Sequence, residues 1–181
     1  MKPRASEALA IGGVVAMMLS ACSPGGAGET PGGFVRGEGT KISVAYPKGW
    51  QNADPGRRAY AVAARMPSNA ASVSVQEDLS KRGNEDLLVD IVELATQTGS
   101  ADYRRKGTKS IKVAGAQAAV RVDYAYNAKL TDSGPADAPA EGVDIGVMGK
   151  DDHVHAVRIT WLRGKLDDKI LRGIIDSIRV K

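Results

Sequence analysis

One cysteine, two histidines and the adjacent acids Asp151-Asp152 and Asp167-Asp168 are the residues through which this chain of 181 could do chemistry. His153 and His155 stand at alternate positions in "KDDHVHAVRITWL". On an extended strand such positions project to one face, so the imidazoles could share a metal ion, with Asp151 and Asp152 beside them and Asp144 on the preceding strand. That set would support metal-assisted hydrolysis. Val157, Ile159 and Trp161 continue the same face, however, so the pair also reads as the point where a core-facing edge meets a hairpin turn. Two histidines without a third placed ligand fall short of a metal centre, and no metal or other cofactor is expected. Nucleophilic catalysis is no better supported. Ser133 in "TDSGP" lacks the strand-to-helix elbow of a hydrolase serine. The segment "GVDIGVMGKDD" contains Gly149-Lys150, yet position 144 is Asp rather than Gly, and Asp151 stands where a phosphate loop needs Ser or Thr. Asp151-Asp152 and Asp167-Asp168 suit a turn and a first helical turn, where local hydrogen bonds and the helix dipole favour acids. No catalytic residue is assigned, and the chain is expected not to be an enzyme.

The lone thiol, Cys22, cannot close an internal disulfide. Lys2 and Arg4 precede an uncharged run from Ala8 to Ala21, "ALAIGGVVAMMLSA", which is the layout of an export signal. The run holds about 14 residues, short of the roughly 20 that a spanning helix needs, and two adjacent glycines weaken it further. It ends in Leu19-Ser20-Ala21-Cys22, which resembles the lipobox of bacterial lipoproteins. The resemblance implies that residues 1–21 are a signal peptide cut between Ala21 and Cys22, and that Cys22 carries S-diacylglycerol and an N-acyl chain. Each buried methylene adds about 0.8 kcal/mol, so acyl chains would replace the discarded helix as the anchor. The alternative is an ordinary cleaved secretory signal with an unmodified Cys22. Residues 22–39 would then be the lipidated cysteine and a flexible linker, "SPGGAGETPGGFVRGEG", spanning on the order of 20 Å as a coil. The expected location is the extracytoplasmic face of the cell membrane.

The elements that must position His153 and His155 lie in residues 40–181, expected to form a single domain. Ile42, Val44 and Tyr46 alternate with polar or small residues and predict a half-buried strand, ended by Pro47-Lys48-Gly49. Strands follow over Arg58–Met66 and Ala71–Gln76. A helix is predicted over Asn84–Thr98, capped by Asn84 and stopped by Gly99, burying Leu87, Ile91, Leu94 and Ala95 with Leu88 and Val92 beside them. Four strands come next, over Tyr103–Val113, Gln117–Asn127, Val143–Met148 and His153–Leu162, with a polar loop Ala128–Gly142 between the second and third. A second core helix is predicted over Leu166–Val180, where Leu166, Ile170, Ile174 and Ile178 recur every fourth residue. Hairpin-length connections then give an α+β domain, a mostly antiparallel sheet of about six or seven strands with helices packed on it. "ISVAYPKGW", Ile42 to Trp50, "AVRITWL", Ala156 to Leu162, and "IIDSIRV", Ile174 to Val180, resemble the PsbP-like superfamily, many of whose members are actinobacterial lipoproteins. The resemblance implies an α-β-α sandwich and a role in binding or assembly, with no shared catalytic residues.

Charge and composition narrow the partners. Lys and Arg number 25 against 21 acids, giving +4, but they are scattered, and aromatic content is 4%. A nucleic-acid partner is not expected, because it would need a concentrated basic face with stacking residues. The expected function is a membrane-anchored, extracytoplasmic, non-catalytic binding or assembly module of the cell envelope, with a protein partner or a hydrophobic ligand. The alternative is an extracytoplasmic metal-assisted hydrolase using His153 and His155.

Overall fold

A computed structural model describes residues 28–53, 60–97, 101–128 and 138–181. The expected signal peptide, Cys22 and Ser133 lie outside these residues. Among the described residues, ten strands and two α-helices follow one another as β1 (Phe34–Glu38), β2 (Ile42–Pro47), β3 (Gln51–Asn52), β4 (Tyr60–Arg65), β5 (Ala71–Ser80), α1 (Leu88–Gln97), β6 (Ala101–Ser110), β7 (Ala118–Ala128), β8 (Ala138–Met148), β9 (Val154–Leu162), α2 (Asp168–Asp176) and β10 (Arg179–Val180). A seven-stranded sheet runs in the order β3-β4-β5-β9-β8-β7-β6, and β1-β2-β10 make a smaller one. Every strand pairing in both is antiparallel. The class is α+β, as the hairpin-length connections predicted.

Period-two patterning sorts the large sheet into two faces. Val73 and Val75 of β5, Val157 and Ile159 of β9, and Val143, Ile145 and Val147 of β8 face one way. They pack with Leu171 and Ile174 of α2, Ile178, and Ile42, Val44 and Val180 of the small sheet to form the main core. The other face is covered in part by α1, whose Leu88 meets Val120 and Val154 in a smaller cluster. Because β8 lies between both layers, it is buried without interruption from Gly142 to Met148.

Several sequence expectations are corrected. Phe34–Glu38, assigned to the linker 22–39, is a strand paired with β2. Its anchor is Arg36, which donates to Thr30 Oγ1 at 2.8 Å, Ser43 Oγ and the Ser177 carbonyl at 3.0 Å, and the Gly28 carbonyl at 2.6 Å. Gly28 N–H in turn donates to the Asp176 carbonyl. Ordered structure therefore begins by Gly28 rather than at residue 40. Glycine-rich composition hid a strand held by backbone bonds and one arginine, neither of which leaves a hydrophobic period.

The terminal helix is also shorter than Leu166–Val180. Asp167 caps its start, accepting from Lys169 N–H at 2.6 Å. At its end the buried Ser177 hydroxyl donates to the Ile174 carbonyl at 2.7 Å and accepts from Ala45 N–H at 2.8 Å. The apolar repeat continues to Val180, but the last residues form β10 on β2. In α1 the buried stripe is Leu88, Val92 and Thr96, while Leu87 and Leu94 are 50% and 65% exposed. The expected face is thus rotated by about one residue, roughly 100°, because Glu85–Leu87 form a tight 3-10 turn on the Asn84 cap before the helix begins. The polar loop Ala128–Gly142 is shortened at both ends, by β7 reaching Ala128 and β8 starting at Ala138.

Candidate functional site

His153 immediately precedes β9 and His155 is the second residue of that strand, next to the β8–β9 turn that holds Asp151 and Asp152. His155 pairs with Val147 on β8, but on its other side the ladder with β5 is irregular. Gln76 opposes Ala156 and Ser80 opposes Val154, so Glu77, Asp78 and Leu79 all bulge out opposite His155. Asp78 takes a left-handed conformation there, with φ of 55°. This turns its backbone N–H onto His155 Nδ1 at 3.1 Å. The same bulge places Glu77 Oε1 to accept from the backbone N–H groups of Lys41 and Ile42, at 2.7 and 2.9 Å. Lys41, at the entrance to β2, is thereby fixed over the histidines.

Around Lys41 the side chains form one ionic network. Its ammonium donates to Asp151 Oδ2 at 2.8 Å and lies 3.4 Å from Asp78 Oδ1. His153 Nδ1 is 2.7 Å from Asp78 Oδ1 and 3.0 Å from Lys41 Nζ. An approach of 2.7 Å between a ring nitrogen and a carboxylate needs a proton between them, so Nδ1–H donates to Asp78. That nitrogen then has no lone pair for Lys41, and the 3.0 Å approach is a contact rather than a second hydrogen bond. The pairing shows in the titration of Asp151, Asp78 and Lys41. The hydrogen bond from Lys41 holds the Asp151 carboxyl down at about 2, and the one from His153 lowers Asp78. Asp151 in return raises the Lys41 ammonium above its ordinary value. These groups are partly open to water, with Lys41 30% and Asp78 42% exposed, so screening keeps each pair modest.

His155 is the buried member. It is fully inaccessible, and burial lowers its pKa, which keeps the ring neutral at neutral pH. With Nδ1 accepting from Asp78 N–H, the ring proton sits on Nε2. That Nε2 has no hydrogen-bond partner. His155 also lines a cavity of about 360 Å³ with Thr40, Lys41, Gly115, Gly149, Lys150, Asp151, Val180 and Lys181.

The structure therefore brings His153, His155 and Asp151 together, as the sequence suggested, with ring centres 6.5 Å apart. It does not bring Asp144 to them. Asp144 lies on the opposite sheet face, 1% exposed, paired with Arg158 at 3.1 Å and accepting from Tyr124 OH at 3.2 Å and from Thr96 Oγ1. Asp152 is exposed in the turn at φ of 60°. Among the described residues no group of three or more His, Cys, Asp or Glu side chains is arranged to hold a metal ion. Lys41 is the physical reason, since its ammonium already lies between the two carboxylates and against the His153 ring. Sequence reading missed Lys41 and Asp78. The one local signal was the acidic pair Glu77-Asp78 interrupting the alternation "ASVSVQ", which marks a place where the strand leaves its ladder.

No family model and no curated protein matches the chain. Nine solved chains are similar in structure. One is the protein of unknown function PA94 from Pseudomonas aeruginosa, at 15% identity, with 75% of this chain and 87% of that chain covered and a TM-score of 0.45. No site residue is transferred from it.

Proposed function

We propose that the chain is a lipoprotein tethered through Cys22 to the extracytoplasmic face of the cell membrane, and that its α+β domain, of PsbP-like type, is a non-catalytic binding or assembly module of the envelope. The tether rests on the order of charged head, short apolar run and Leu19-Ser20-Ala21-Cys22. The binding role is supported by one structural observation, the cavity of about 360 Å³ walled by Lys41, Gly115, Asp151 and Val180. The metal-hydrolase alternative has less support, because the Asp78 N–H on His155 Nδ1 leaves that ring's proton on Nε2, and Lys41 neutralises the carboxylates.

Crosslinking in living cells tests the reading. A photoreactive residue in place of the exposed Lys150, at the cavity rim, should capture a defined lipid or envelope protein from the full chain. Repeated recovery of the chain alone would overturn it.

A further inference from the structure

The charges look scattered along the sequence, but the fold gathers an excess of cations on one free edge. Among the described residues β6 ends the seven-stranded sheet and pairs with β7 alone, so its outer side is open. Between residues 101 and 112 stand Arg104, Arg105, Lys106, Lys109 and Lys112 against the single acid Asp102. Five cations against one acid give this short segment a net +4, the charge of the whole chain. All five cations are exposed. Arg105 is matched by Glu93 at 2.9 Å and Lys106 by Glu141 at 2.5 Å, while among the described residues no carboxylate pairs with Arg104, Lys109 or Lys112. The chain enters the domain at the foot of the same edge. Past β6, Ile111 N–H still donates to the Ala119 carbonyl, and three residues further on Ala114 lies against Gly28, where a Cβ would be 3.0 Å from the Ala114 Cβ. Six peptide steps separate Gly28 from Cys22, about 20 Å even at full extension. An acylated Cys22 therefore holds lipid phosphates within reach of the edge, at a high effective concentration.

From this we infer that the β6 edge, from Arg104 to Lys112, docks the domain onto the anionic lipid phosphates of the membrane that holds Cys22. The inference rests on the tether proposed above and adds a second contact with the same membrane. An acidic polypeptide strand suits the edge less well. Register breaks at Ala101/Arg104 and Arg105/Gly107 interrupt the row of backbone groups that an added strand would pair with, and edge lysines oppose such pairing. Lipid phosphates need only the side-chain charges, each of which strengthens binding to an anionic surface about fivefold.

The full processed chain, reconstituted through its own N-terminus into phosphatidylcholine vesicles containing one quarter phosphatidylglycerol, tests this. A fluorophore is attached at Ser110→Cys on the edge, or at Gln51→Cys on β3, which closes the opposite side of the sheet six strand spacings, about 29 Å, away. Nitroxide-labelled headgroups quench whichever position lies against the membrane. Quenching at position 110 is expected to exceed that at position 51 at least about threefold. It is expected to fall to the level at 51 in pure phosphatidylcholine, in molar salt, and in the triple variant Arg104→Gln, Lys109→Gln and Lys112→Gln, where losing three cations weakens docking about a hundredfold. The three side chains are exposed, so the variant keeps the fold. Equal quenching at the two positions, or edge quenching that ignores lipid charge or survives the triple variant, would overturn the inference. An acidic protein crosslinked to position 110 in cells, with no quenching by headgroups, would overturn it in favour of a protein partner. A free Cys22 thiol in the purified chain rejects the tether instead. Sedimentation of that unanchored chain with the same vesicles then decides the edge, which is refuted if the triple variant pellets equally.

Discussion

Asp144 offers the sharpest test of the buried polar cluster beneath α1. Its carboxylate is 1% exposed and meets Arg158 Nε and Nη2 at 3.1 Å. It also accepts from Tyr124 OH and from Thr96 Oγ1 on the buried stripe of α1. Replacing Asp144 with Asn keeps the shape and removes the charge, so the Arg158 guanidinium is left facing an amide. Breaking one side of a buried pair costs about 3–5 kcal/mol, and because the Arg158 side chain is 22% exposed and can reach some water, the lower figure applies. At a urea slope of about 2 kcal/mol/M, a loss of about 3 kcal/mol moves the unfolding midpoint of the full chain down by about 1.5 M. The companion variant Asp144→Leu with Arg158→Met removes both charges and should recover most of that loss, because two apolar side chains carry no desolvation debt. A midpoint shift under about 0.3 M for Asp144→Asn, or a double variant no better than the single one, would refute the argument that this buried pair stabilises the fold.

Two other predictions follow from local geometry. Gly142 lies opposite Tyr124 in the β7–β8 ladder, and a Cβ there would strike the tyrosine ring, so Gly142→Ala should cost about 1–3 kcal/mol in urea unfolding; an unchanged midpoint would contradict it. Lys41→Gln should lower thermal stability near neutral pH by a margin that narrows at both extremes. Asp78 and Asp151 titrate below their ordinary 3.8, so their contribution is full above that value and fades as pH falls below it, for Asp151 towards about 2. Lys41 titrates above its ordinary 10.5, so its contribution is full below that value and fades as pH rises beyond it. A gap between the two chains that stays constant from pH 5 to pH 2 would show that the network does not form.

The α+β class and most strands were legible because antiparallel hairpins leave a period of two that any covered sheet needs. Val120, Val122, Tyr124 and Tyr126 alternate in the sequence and share one face in the fold. What escaped was set by hydrogen bonds rather than by burial. Arg36 ties down β1, and Ser177 ends α2 while the apolar repeat runs on. The 3-10 turn at Glu85–Leu87 shifts the phase of α1, which periodicity alone cannot register. The site was half visible for a related reason. His153, His155 and Asp151 are close in sequence, and their meeting follows from one hairpin. Asp78 and Lys41 reach them only through the bulge in β5 and the approach of β2, contacts across 75 and 112 positions that no local pattern encodes.

Mass spectrometry of the protein purified from its native membranes tests the central proposal most directly, because it reads the N-terminus and any retained ligand together. The expected product begins at Cys22 and carries diacylglycerol on the thiol and acyl on the amine. A chain that keeps Met1, or one cleaved to leave an unmodified cysteine and recovered in the soluble fraction, would contradict it.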